Sequence, residues 1–210
     1  MPLIKRSFYV QCRGSDCFKL AELIKEKTPT VEYIDVSVTE NGIYISVYGY
    51  KTDVKNVWRH IRKLVSLYYS AVREFKGLRR VKIEYLVDKL KRTFPPRLLV
   101  VIINHMGYRC ELAEKGEEII TEAPLELIES VASTIICKLD EIKYDVKGIT
   151  AKYYVVAGSA LLGIPVDEVY KLGIKHGHLW VDNEGKFRLR VEWKQGLNEL
   201  LEKYSRRNSS

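Results

Sequence analysis

IDVSVTENGIYISVYGYKTDVKNVWRHIRKLVSLYYSAVREF, residues 34–75, contains the change of period that decides the fold. Ile34, Val36 and Val38 alternate with polar residues, and Ile43, Ile45 and Val47 repeat the pattern beyond Asn41-Gly42. That dipeptide is favoured in a tight type I′ hairpin because both of its residues take positive φ. Past Thr52, read as a helix cap, apolar residues recur at i, i+3 and i+4: Val54, Val57, Trp58, Ile61, Leu64, Val65, Tyr68, Val72 and Phe75. This spacing predicts a long amphipathic helix.

Upstream, Phe8, Val10 and Cys12 alternate as a strand. Ser15 or Asp16 can then cap a helix whose expected buried stripe is Phe18, Ala21, Leu23 and Ile24. The order strand, helix, strand, strand, helix resembles a ferredoxin-like module without its last strand. Downstream, a gapless offset of 70 residues relates Pro95 to Pro165, Leu99 to Val169, Gly107 to Gly177, Glu114 to Glu184 and Leu127 to Leu197. Such self-similarity reads as a duplication. The expected fold class is therefore α+β: a βαββα ferredoxin-like module over 1–77, then two helix-helix-hairpin-helix units, winged-helix-like, over 78–147 and 148–205. Residues from Ser205 onward are expected to be untethered.

Charge is concentrated rather than spread. Residues 51–97 hold fourteen Lys or Arg against Asp53, Glu74, Glu84 and Asp88, a local +10 in a chain of +8, whereas residues 111–129 hold seven Glu against Lys115. At 100° per residue, Lys51, Lys55, Arg59, Arg62, Lys63 and Arg73 share one helix face with no acid among them. A one-signed face costs self-repulsion, which phosphates relieve as they release counterions. Arg79 and Arg80 extend the basic run. Strand alternation sends Tyr9, Tyr33, Tyr44, Tyr48 and Tyr50 to the side opposite Ile and Val. Such a face resembles the base-stacking platform of RNA-recognition-motif domains. The match is architectural only, because Asn41-Gly42 is followed by Ile43 and Ile45, with Tyr44 out of that family's register.

Other motifs carry less chemistry. Ser159, Gly163 and Val169 have helix-turn-helix spacing, with a wing expected around residues 182–185, but Asp167 and Glu168 stand where bases would be read. Gly158 to Gly163 lacks the Lys and Ser or Thr of a phosphate loop. His176 and His178 read as a helix cap and a surface contact, and no residue set has metal-ligand spacing. Few Gln and Met beside many Lys and Glu suggest a protein of a hot organism. Four cysteines are too few for a disulfide scaffold and an intracellular chain normally keeps them reduced; in a hot organism a Cys110–Cys137 bridge is the alternative, while Cys12 and Cys17 merely bracket a turn. No apolar run reaches bilayer length and no secretory signal is visible, so a cytoplasmic location is expected.

With its βαββα start and the FPPRLL…GY string over residues 94–108, the chain resembles an uncharacterised archaeal family of small cytosolic proteins, a resemblance that implies an archaeal source and brings no activity or site residues. The expected function is non-catalytic nucleic-acid binding, RNA or a single strand favoured, with no cofactor and no metal. The ligands would be Lys51, Lys55, Arg59, Arg62, Lys63, Arg73, Arg79, Arg80, Tyr9, Tyr44 and Tyr48. A scaffold module docking an acidic protein is the alternative, and a winged-helix DNA regulator comes third.

Overall fold

The computed structural model describes residues 2–208, and the chain divides between Arg73 and Glu74 into two compact units. The protein is a mixture of helices and small antiparallel sheets. Among the described residues no single helix is long and apolar enough to cross a membrane.

The first unit runs β1 (Leu3–Gln11), α1 (Ser15–Lys27), β2 (Tyr33–Thr39), β3 (Gly42–Tyr50) and α2 (Lys51–Val72). The sheet order is β1-β3-β2, antiparallel throughout, with Ile45 of β3 opposite Phe8 on one side and Val36 on the other. Val10, Val36, Ile43, Ile45 and Val47 share the buried face of the sheet. Both helices contribute apolar stripes to the unit's core: Cys17, Leu20, Ala21, Leu23 and Ile24 from α1, and Val54, Val57, Ile61, Leu64, Leu67, Tyr68 and Ala71 from α2. Two expected core residues are instead exposed, Phe18 at 64% and Phe75 at 75%. In α1 Ala21, Leu23 and Ile24 are buried as their spacing implied, but Cys17 and Leu20 take the place of Phe18, and α2 ends before Phe75 is reached.

The hairpin forms, but its turn differs from the expected one. Thr39 pairs with Gly42, so the two turn residues are Glu40 and Asn41, and neither Asn41 nor Gly42 has positive φ. Gly42 is needed for a different reason. The Tyr9 ring crosses it so closely that a Cβ there would fall 2.4 Å from the ring, and the Tyr9 hydroxyl donates to the Asn41 carbonyl at 2.7 Å. The positive-φ pair lies instead at Lys76 and Gly77, at 53° and 77°.

Cys12 and Cys17 form a disulfide that ties the end of β1 to the first turn of α1 around Gly14, whose φ is 56°. This corrects the expectation that Cys12 and Cys17 merely bracket a turn, and the alternative bridge between Cys110 and Cys137 does not form. Cys110 is a buried thiol that burial pushes up to about 11, and Cys137 sits on the exposed side of its helix. Replacing Cys12 and Cys17 with Ser should lower stability by about 2 kcal/mol, the loop-closure value for so short a span. Denaturant unfolding of oxidised protein and variant checks this, and equal midpoints would show that the bridge adds nothing.

The second unit opens with β4 (Glu74–Phe75) and β5 (Leu78–Lys82), joined through Lys76-Gly77. Then follow α3 (Ile83–Leu90), α4 (Pro96–His105), β6 (Cys110–Leu112), β7 (Glu118–Thr121) and α5 (Leu125–Glu141). The chain continues with α6 (Ile149–Leu162), α7 (Val166–Lys175), β8 (Leu179–Val181), β9 (Phe187–Leu189) and α8 (Trp193–Asn208). The sheets are β4-β5-β7-β6 and β8-β9. Helix α8 carries the chain through Ser205, whose hydroxyl donates to the Leu201 carbonyl at 3.0 Å. The expected untethered end therefore does not begin there, and its last two residues lie outside those described.

Candidate nucleic-acid interface

The site follows from the parity of β1 and the phase of α2. Ile4, Arg6 and Phe8 share the face of β1 that carries buried Val10, while Leu3, Lys5, Ser7 and Tyr9 point the other way. β1 is an edge strand: β3 takes one side, and no strand among the described residues pairs with the other. Beside that edge α2 presents Lys51, Lys55, Arg59 and Arg62 next to Val54 and Trp58. Together with Ile4, Arg6 and Phe8 they line a groove of about 360 Å³. Phe8 and Trp58 stack nearly parallel in it, with centroids 4.2 Å apart and planes 5° apart.

Five cationic groups therefore share a groove with a pair of aromatic rings. No carboxylate lines the groove, and among the described residues none of the five forms an ion pair. Lys63 and Arg73 are exposed but do not line it; Arg73 is the C-cap of α2. Arg79 and Arg80 belong to β5 in the second unit. Arg79 holds Glu74 at 3.0 Å, and Arg80 lies 3.7 Å from Glu118.

The tyrosines occupy the opposite face of the sheet. Tyr9 pairs with Tyr44 across β1 and β3, with ring centroids 4.9 Å apart, and Tyr48 stands between Lys5 and Tyr33. Tyr9, Tyr33, Tyr44, Tyr48 and Tyr50 are all exposed. Asp35, which accepts a hydrogen bond from Ser37 at 3.1 Å, is the acid on this face. Basic groove and tyrosine face thus lie back to back and meet at the β1 edge, where Lys5 points to one and Arg6 to the other.

Three groove residues escaped the sequence reading. Phe8 and Trp58 read as core because their periodicity is that of buried residues. Arg6 was legible: a cation in phase with Phe8 and Val10 signals a strand whose inward face is open there.

A second polar cluster lies in the other unit. The Tyr154 hydroxyl is 3.0 Å from His178 Nδ1, and His178 Nε2 is 3.1 Å from Glu199. Tyr154 is fully buried and His178 is 2% exposed, so His178 is a core residue and not the surface contact its place after a helix implied. Burial pushes the Tyr154 phenol up, and hydrogen bonds from Gln195 and then His178 hold the Glu199 carboxyl down. With its phenol enclosed, the trio serves packing. Among the described residues no group of three His, Cys, Asp or Glu is placed to hold a metal ion.

Residues 12–198 match a family model described as an uncharacterized protein conserved in archaea. No curated protein and no solved structure matches the chain.

Proposed function

Since the chain belongs to this family of uncharacterized proteins conserved in archaea, which lends it no activity, we propose from the groove itself that it binds single-stranded nucleic acid, RNA by preference, without catalysis. The observation that carries this is that Arg6, Lys51, Lys55, Arg59 and Arg62 line one groove with the Phe8–Trp58 stack, and among the described residues no carboxylate lines it. Cations without counter-charges track a phosphate backbone, and aromatic rings accept bases of any sequence. A strand leaving the groove passes the β1 edge at Lys5 and reaches the tyrosines behind. Duplex is too stiff to follow that path.

Anisotropy titrations of labelled single-stranded RNA, single-stranded DNA and duplex DNA over a range of salt test this. The single strands should bind tightest, with affinity falling linearly on logarithmic axes as salt rises. Absence of salt-dependent binding to any of them would overturn the reading and favour an acidic protein as the occupant of the groove.

The tyrosine face has its own test. Changing Tyr44 and Tyr48 to Ala should cost about 1 to 3 kcal/mol of binding per stacked base. Thermal stability should hardly change, because the two rings are 52% and 38% exposed. Normal binding by the folded double variant would restrict the interface to the groove.

The finer architecture belongs to the same proposal. The first unit is read as a ferredoxin-like module whose place for a fourth strand, beside β1, is open. The second is read as two copies of one winged-helix-like unit, 78–147 and 148–205. Pro95 and Pro165 are N-caps of α4 and α7, and these helices keep the offset of 70 at both ends. Gly107 and Gly177 then close them with φ of 90° and 73°, each donating its N–H to a carbonyl three residues back at 3.0 Å. A DNA-reading role for α7 is disfavoured by Asp167 and Glu168 in its first turn. We place the protein in the cytoplasm, among such strands.

A further inference from the structure

The charge gathered in the β1–α2 groove exceeds what a passing strand supplies. A volume of about 360 Å³ lies at the small end for a ligand pocket, room for roughly one nucleotide. A nucleotide inside a strand brings a phosphodiester with a single negative charge. Five cations face that space, and no carboxylate lines it to take up the excess. A phosphate monoester matches better, because at neutral pH it carries close to two charges and three strong acceptor oxygens. Arginine is suited to such a group, since its planar fork donates two parallel hydrogen bonds to phosphate oxygens. Arg6, Arg59 and Arg62 supply three such forks.

Apolar side chains stand between the cations on both sides of the groove. Ile4, Val54 and the stacked rings of Phe8 and Trp58 offer a base or ribose a surface that inorganic phosphate alone would leave uncovered. Charge and apolar rings thus line the same space of about 360 Å³. The open edge of β1 leaves the groove accessible from the side, so a strand attached to the bound nucleotide has somewhere to go.

We propose that the β1–α2 groove is a binding site for a nucleotide carrying a terminal phosphate monoester, taken either from the phosphorylated end of a strand or as a free nucleoside monophosphate. This rests on the same groove as the strand-binding reading, and goes beyond it by making the phosphorylated end the recognised feature.

The test uses the full chain and tryptophan fluorescence, with Trp58→Phe to identify the responding ring among Trp58, Trp180 and Trp193. The probes are inorganic phosphate, adenosine, AMP, and a short oligoadenylate RNA with a phosphate on its 5′ end, on its 3′ end, or on neither. AMP should change Trp58 fluorescence where adenosine does not, and should bind at least about tenfold more tightly than inorganic phosphate, the difference being contact with the apolar side chains. Arg59→Gln with Arg62→Gln should abolish the response while leaving the exposed face of α2 folded. An end-phosphorylated oligonucleotide about tenfold tighter than the unphosphorylated one identifies a strand end as the source. AMP binding with no gain from end phosphorylation identifies the free nucleotide. Equal binding of all three oligonucleotides, with no displacement by AMP, overturns this inference and leaves strand binding standing. AMP binding without any oligonucleotide binding does the reverse. Adenosine binding as tightly as AMP overturns the phosphate requirement.

Discussion

Changing Arg6, Lys55, Arg59 and Arg62 together to Gln is expected to weaken single-strand binding about 200-fold at physiological salt. Each phosphate contact on a single strand contributes about 0.7 to the slope of log affinity against log salt, so four contacts remove nearly three units of slope. Extrapolated from about 1 M salt, where counterion release vanishes, to about 0.15 M, that slope yields the stated loss. The fold should persist. All four side chains are exposed, Gln is a good helix former, and the apolar stripe of α2 from Val54 to Ala71 is untouched. Anisotropy titrations across salt measure both affinity and slope. An unchanged slope in a folded variant would remove the groove from any role in binding phosphate.

His178→Ala should destabilise the protein by about 4 kcal/mol. The change opens a cavity beside fully buried Tyr154 and strips its hydroxyl of the partner now 3.0 Å away. Cavity formation and a stranded buried donor each cost about 1 to 3 kcal/mol or more. Tyr154→Phe should cost less than His178→Ala, because it removes the stranded hydroxyl along with its need for a partner. Glu199 adds a pH dependence of known sign. Its carboxyl titrates lower in the folded protein than in the unfolded chain, so its contribution is complete above the ordinary carboxylate range and is lost as the pH falls from that range through the lower folded value. Denaturant midpoints for the variants, followed from neutral to acid pH, test both statements. A His178→Ala midpoint equal to that of the parent would show that the trio carries no load in the core.

The particular residues show where sequence reasoning held and where it ended. Alternation over 34–47 placed the hairpin, and the i, i+4 stripe placed α2, because both are local patterns with a period. The turn went astray at Gly42. Its glycine answers to the Tyr9 ring 33 positions earlier in the chain, a contact no local signal encodes. The Cys12–Cys17 bridge was missed for a related reason: five residues can span a bridge or a plain turn, and only the direction in which α1 leaves β1 separates the two. The cations of α2 were legible as a one-signed face. That they form a groove was not, because a groove requires β1 at the edge of the sheet, and strand order is set by pairings far apart in sequence. The tyrosines were rightly read onto the side opposite Ile and Val. Their separation from the basic face follows once α2 packs on the Ile and Val side, a step parity alone does not take.

The unpaired edge of β1 has a consequence of another kind. A strand with free N–H and C=O groups is a template on which a second molecule can add its own strand, and repeated addition ends in fibres. Lys5 and Arg6 stand on that edge, one on each face, and in an antiparallel join of two β1 strands centred there one or the other would face its like from the other molecule. Charges on an edge strand oppose such joining. If the proposed strand binding holds, the cations at this edge bear on self-association as well as on recognition, so a sequence drifting towards neutrality there is expected to associate more readily as well as to bind strands less tightly.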